Sequence, residues 1–326
     1  MKALLLIASL LLPCVVPAQT VEKACPPPLP QLTKQQWIEK ARVAKNAGFL
    51  WKIEKQRQVS WLYGTIHVNA LELAMPGPTV VQAMREVDMV ALELDISTPE
   101  KVKAVAAEAA KPVADEKPLD EKTIERIKKY AEALCVPADN FLKLPTSALQ
   151  AALPVYALRD KGLYPEFMVD AFIGGIGTGL KKKMVALETT QSQMAALDQG
   201  VSAEKELEKV LNELESGDSQ KVMQQIFDAW SASDLAKFEQ FADWCECMRT
   251  PEERAQMTRL NEDRNVDMAK QIAQMLDDAK SVFVAVGALH MIGDQGLPAL
   301  LRERGAVVTY VPLGTSPSSP SKLQAK

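Results

Sequence analysis

The chain has 326 residues, enough for one large domain or two small ones, and its 47% hydrophobic and 25% charged residues are ordinary for a globular protein. A net charge of −4, with Lys181-Lys182-Lys183 the one run of three basic residues, leaves no footprint for tracking nucleic-acid phosphates. Beyond the N-terminus no apolar run approaches ~18 residues, so no integral membrane segment is expected in the mature chain.

Taken in order, the chain starts with the parts of a signal peptide over residues 1–18: Lys2, the apolar run Ala3 to Leu12, and Val16-Pro17-Ala18 before the cut. The protein is therefore expected to be periplasmic or secreted. Lipid attachment at Cys14 is the alternative, which Pro13 directly before the cysteine disfavours. Export leaves Cys25, Cys135, Cys245 and Cys247 in an oxidising compartment, so two disulfides are expected, with three possible pairings. Cys245 and Cys247 stand one residue apart, and each is expected to reach a distant partner rather than the other. Residues 19–48 read as a spacer, Cys25-Pro26-Pro27-Pro28-Leu29-Pro30, then a short amphipathic helix from Leu32 to Ala47 ended by Gly48.

The body of the chain, residues 49–313, reads as one α/β domain. Phe49 to Glu54 and Val59 to Ile66 form a strand pair around Gln56-Arg57-Gln58. A helix opening at Pro76, with Val80, Val81 and Met84 on its apolar side, leads to a strand at Asp88 to Leu94. Residues 99–170 are helical, with Ile124, Ile127, Ala131 and Leu134 at helical spacing. A strand returns at Met184 to Leu187. Residues 202–278 are again helical and long. Ser281 to Val286 and Ala306 to Val311 are the last strands, around a helix over Leu297 to Arg304. The expected fold is a mixed central sheet assembled from N- and C-terminal strands, with a large helical insertion in the middle. Gly174-Gly175-Ile176-Gly177-Thr178-Gly179 precedes a strand instead of joining strand to helix, so it reads as a helix stop and loop rather than a phosphate loop. Residues 314–326 are Ser/Pro-rich and expected to be a disordered tail.

The chemistry concentrates in four short strings. The two histidines of the chain share one frame: Gly64-Thr65-Ile66-His67 and Gly287-Ala288-Leu289-His290, each after an apolar, strand-like run. A glycine at a strand end lets an imidazole overhang the C-terminal edge of the sheet, where open α/β sheets place ligands. Met89-Val90-Ala91-Leu92-Glu93 and Met184-Val185-Ala186-Leu187-Glu188 carry the same five letters, and a lone carboxylate in such a run has to find a proton or a cation. Two imidazoles plus carboxylates suit a divalent ion such as Mn, Co or Zn. No Gly-x-Ser-x-Gly elbow is present.

Gly64-Thr65-Ile66-His67-Val68, the Glu93 strand, Leu187-Glu188-Thr189 with Gln191, Arg264-Asn265, and Val286-Gly287-Ala288-Leu289-His290 with Gly293 together resemble the TraB/GumN family. That family includes the Tiki metalloproteases and is more distantly similar to erythromycin-esterase and ChaN-like folds. The resemblance implies a divalent-metal hydrolase fold, with His67, Glu93, Glu188 and His290 at the metal. It implies that Arg264 and Asn265 point into the cleft, where Arg264 would hold a substrate carboxylate or an oxyanion, and that Gln191 and Asp170 support the site from behind. From the residues alone, Arg264 also reads as a surface salt-bridge partner of Glu262 and Asp263.

The expected function is an exported divalent-metal-dependent hydrolase, acting on peptide or protein substrates, with Glu93 or Glu188 handling protons. The alternative is a non-catalytic periplasmic protein binding haem, a peptide signal or a glycan in the same cleft. A third reading is a structural envelope component whose histidines are incidental.

Overall fold

The computed structural model describes residues 25–26, 28–113, 116–197 and 203–314. The expected signal peptide, Cys14 and the tail beyond Gly314 lie outside these residues. Six strands form one mixed sheet: β1 (Phe49–Lys55), β2 (Gln58–Thr65), β3 (Met89–Leu92), β4 (Lys183–Ala186), β5 (Val282–Gly287) and β6 (Val307–Val311), in the order β4-β3-β5-β2-β1-β6. β4, β3, β5 and β2 run parallel; β1 is antiparallel to both β2 and β6. This is the sheet expected from the two ends of the chain. Its centre belongs to β5, one of the last strands made, which inserts between β2 and β3.

Local chemistry explains most elements. Gln56 and Arg57 both adopt positive φ, 49° and 66°, the conformation of a two-residue hairpin turn whose twist suits the flanking strands. β3 is buried along its whole length and β5 along all but its last residue, as parallel strands covered on both faces must be. The helix Pro78–Arg85 starts with proline in its first turn and buries Val80, Ala83 and Met84 against the sheet. The middle of the chain carries a second core of its own, built from Ile127, Phe141, Leu149, Leu153, Leu207 and Leu211. Among the described residues no helix is long and apolar enough to cross a membrane.

Several expectations are corrected. The first helix is shorter, Lys34–Arg42, because Thr33 caps it in a reciprocal capping box and no residue of it is buried to hold it further. Gly48, at φ +82°, instead turns the chain into β1. The glycine-rich stretch is not a loop: it forms most of the helix Val169–Gly179. A side chain at Gly174 would sit 2.9 Å from the Ser97 backbone, and one at Gly177 would sit 2.9 Å from Met184 Sδ. Those glycines let the helix lie directly on its neighbours. The long helical stretch is broken at Gly217, φ +88°, into Ala203–Ser216 and Asp218–Ser231, and resumes near the site as Asp263–Asp277.

Cys25 pairs with Cys135 (Cα–Cα 5.6 Å), and Cys245 pairs with Cys247 (Cα–Cα 5.1 Å). The second pair overturns the expectation of distant partners. The helix Phe241–Trp244 stops at Cys245 and a 3-10 turn begins at Glu246, with the Cys247 N–H donating to Cys245 Sγ. This tight fold brings the two thiols together.

Candidate active site

β2, β3, β4 and β5 end at the same edge of the sheet, and the four expected side chains leave from there. Thr65 pairs with Gly287, so the two Gly-x-x-His frames run side by side, one residue out of register. A Cβ on Gly64 would lie 3.1 Å from Ala288 Cα. Gly64 is therefore what allows the turn carrying His290 to pass so close. The two Met-Val-Ala-Leu-Glu strings are offset by one as well, since Leu92 pairs with Ala186. The Glu188 N–H donates to Glu93 O at 2.9 Å, which stacks the glutamates along the edge.

Each imidazole is held by an oxygen. His67 Nδ1 lies 3.1 Å from Asp170 Oδ2, and Thr65 Oγ1 donates to Asp170 Oδ1 at 2.7 Å. Asp170 is buried in the first turn of the helix Val169–Gly179, whose Val169 N–H donates to Ile66 O. His290 sits in the 3-10 turn Ala288–Met291, 4% exposed, with Nδ1 2.7 Å from Asn265 Oδ1. The Asn265 amide donates to Gln295 O at 2.8 Å and to His290 O at 3.3 Å.

The glutamates share one cation. Arg264 Nη2 donates to Glu93 Oε2 at 2.6 Å and to Glu188 Oε2 at 2.5 Å, and Arg264 Nε donates to Glu188 Oε1 at 2.8 Å. Gln193 Nε2 donates to both carboxylates at 3.0 Å. The remaining oxygen, Glu93 Oε1, accepts the Gly287 N–H at 2.7 Å and lies 3.8 Å from His290 Nε2. A π-helical turn, Thr258–Glu262, comes just before the helix that carries Arg264 and Asn265, and Arg264 Nη1 donates to Leu260 O there. Such turns re-aim side chains at functional sites.

These contacts set the charges. Burial pushes the Glu93 carboxyl up, but the charges of His290 when protonated, Arg264 and His67, with the Gly287 N–H, outweigh it and hold the group down to about 2. Burial dominates at His290 and brings it down to about 4, so it is neutral at pH 7. At His67 enclosure also opposes the charged form, yet Asp170, by charge and hydrogen bond, pushes the ring up to about 9. The outer half of the His67 side chain is open to solvent, at 49% exposure.

His67 Nε2, Glu93 Oε1 and His290 Cδ2 all surround one point, the position a Cβ would take on Gly287, at 3.6, 3.3 and 3.6 Å. Among the described residues no three His, Cys, Asp or Glu side chains are already spaced to hold a metal ion. The donor set nonetheless fits one. Two ligands about 2.1 Å from a tetrahedral ion lie about 3.4 Å apart, close to the 3.8 Å between His290 Nε2 and Glu93 Oε1. Both rings have their other nitrogen oriented by an oxygen, as metal-bound histidines do. Glu188 differs from this set: both its oxygens are engaged by Arg264 and Gln193.

Of the residues singled out from the sequence, His67, Glu93, Glu188, Asp170, Arg264, Asn265 and His290 gather at this edge as one cluster of three hydrogen-bonded groups: His67 with Asp170, His290 with Asn265, and Arg264 with Glu93 and Glu188. Arg264 is therefore no surface partner of Glu262 and Asp263. Gln191 is not brought in; it is exposed. Gln193 takes that place, because two residues on a helix turn a side chain by about 200°. Gln193 and Thr65 went unread in the sequence, and only Thr65, inside the histidine frame, carried a signal.

No curated protein sequence and no solved structure matches the chain. The model of the TraB/PrgY/gumN family matches residues 49–310, the stretch that contains the whole sheet but for the last residue of β6, together with every residue of the cluster. The chain therefore belongs to the TraB/PrgY/gumN family.

Proposed function

We propose that the protein is an exported, divalent-metal-dependent hydrolase acting on peptide bonds, with His67, Glu93 and His290 as the residues that hold the ion. One observation carries this reading: three metal-capable side chains from three strand ends face one point, and each imidazole is anchored through the nitrogen that faces away from it. When bound, a divalent ion supplies an acidified water and polarises a carbonyl oxygen. The chain's own residues do the rest. Asp170 and Asn265 fix the two rings. Arg264 helps to keep Glu93 ionised in a buried setting and pairs with Glu188. Glu188, which takes no backbone hydrogen bond through its side chain, is the carboxylate left for proton transfer, with Arg264 as its counter-ion. Two disulfides are consistent with export.

Elemental analysis of the purified protein for Mn, Co and Zn tests the reading, followed by cleavage of mixed peptides after each ion is restored. Wild type is expected to retain one ion, with His67→Ala and His290→Ala losing it and Glu188→Gln keeping the ion but not the cleavage. Equal metal content in wild type and both histidine variants ends the proposal. A second reading is favoured by the Arg264 clamp, which engages both glutamates without any ion: a non-catalytic protein that binds haem, a peptide signal or a glycan in this cleft. A metallated protein that cleaves no peptide or ester would support it.

A further inference from the structure

β4 is an edge strand. Its Lys183 N–H donates to Asp88 O and the Leu187 N–H to Leu92 O, so alternate residues face β3. The backbone groups of Met184 and Ala186 then face the other way, where no further strand lies among the described residues. Natural proteins blunt such edges, and β4 is short and led by lysines, two of the usual devices. Those devices do not close the edge.

A groove of about 1090 Å³ opens at the C-terminal end of this edge, with Ala186 and Leu187 on one wall and Asp267, Lys270, Gln271 and Gln274 of the helix Asp263–Asp277 on the other. It includes Glu188 and Arg264, the two residues it shares with the histidine cluster. Its volume lies at the top of the range for small-molecule pockets. The helical wall has 15 residues, about 22 Å at ~1.5 Å each, which matches roughly six residues of extended chain at ~3.3 Å. Acidic and basic side chains are mixed along it, which suits a neutral, dipolar backbone and not a polyanion. Gln271 Nε2 of the helical wall donates to Leu187 O at 2.7 Å, just past the end of β4, and so ties the two walls together there.

We propose that an extended polypeptide binds here as a seventh strand, exchanging backbone hydrogen bonds with Ala186 and running along the groove toward His67, Glu93 and His290. The place where it is delivered rests on the hydrolase reading above; the binding does not. Main-chain pairing gives affinity with little dependence on sequence.

The test uses the full chain and a fluorescein-labelled pool of random octapeptides, read by anisotropy, so that no turnover is needed. Wild type is expected to bind saturably. Ala186→Pro removes the outward N–H and leaves the pairing with β3 intact, since proline is tolerated on an edge; it is expected to bind about tenfold more weakly at an unchanged melting temperature. The same pool N-methylated at alternate backbone amides is expected to lose at least tenfold against the unaltered protein, which keeps the test valid if Ala186→Pro fails to fold. Absence of binding by wild type, or equal binding of the methylated pool, overturns the proposal. Saturable binding without any cleavage leaves the added strand standing and removes the hydrolase.

Discussion

Asn265 Oδ1 lies 2.7 Å from His290 Nδ1, while the same amide's nitrogen donates to two backbone carbonyls. That fixes which way the amide points. Its oxygen faces the ring, so Nδ1 must carry the proton and Nε2 keeps its lone pair toward Glu93. An asparagine on the apolar face of a helix thus sets the tautomer of a buried histidine.

Asn265→Ala removes this anchor and leaves a buried ring N–H and the Gln295 carbonyl unpaired. Stability is expected to fall by about 1–3 kcal/mol, and affinity for the restored ion by about 10–100-fold. Urea unfolding and calorimetric metal titration measure the two. Asn265→Asp is expected to do worse in stability, because a carboxylate would face two carbonyl oxygens. Unchanged metal affinity in the alanine variant would refute the orienting role.

Arg264→Ala leaves Glu93 and Glu188 as adjacent buried anions. A cost of about 3–5 kcal/mol is expected at pH 7, the usual result of removing one partner from a buried ionic group. It should shrink as the pH falls through the carboxylate range and the glutamates take up protons. Arg264→Lys is expected to recover only part of it, since a single ammonium cannot reproduce the fork that reaches both carboxylates. Denaturant titrations at pH 7 and pH 4 check both statements; an equal loss at the two values contradicts them.

For the protein stripped of any bound ion, stability should peak near pH 6.5. An unfolded histidine titrates near 6.5. His290, brought down to about 4 in the fold, refuses a proton that the unfolded chain accepts, so stability is lost as the pH falls from about 6.5 toward 4, by about 1.4 kcal/mol per unit for one proton. His67, pushed up to about 9, holds a proton that the unfolded chain releases, so its contribution is lost as the pH rises through about 9. Its outer half is solvated, and the alkaline slope is expected to be the shallower one. A pH series of urea unfolding shows both limbs. An acid limb that persists unaltered in His290→Gln would disprove the assignment.

Two glycine-to-alanine changes should separate site from scaffold. A methyl at Gly287 would come 3.3 Å from Glu93 Oε1, inside the space shared with the two rings. Metal retention and cleavage are expected to drop at least tenfold with only a modest change in melting temperature. A methyl at Gly175, on the helix Val169–Gly179, meets nothing within 4 Å. Gly175→Ala is expected to raise stability by about 0.5–1 kcal/mol through helix propensity and leave activity unchanged.

The sequence by itself determined the strands, the mixed sheet and the strand-end residues of the cluster, because a buried strand needs an unbroken apolar run and a polar residue at its end stands out against it. Gly64, His67, Glu93, Glu188, Gly287 and His290 were all legible for that reason. Only the tertiary structure decided how they are used. Arg264 lies 171 positions beyond Glu93, and no local pattern shows that its guanidinium would tie Glu93 to Glu188 and set Glu188 apart from the histidines. Gln193 instead of Gln191, the helical path of the glycine-rich stretch and the Cys245–Cys247 bond were likewise settled by packing and helix phase. Spacing along a chain constrains neighbours within a turn or a strand, whereas contacts between distant segments depend on which surfaces the whole fold brings face to face.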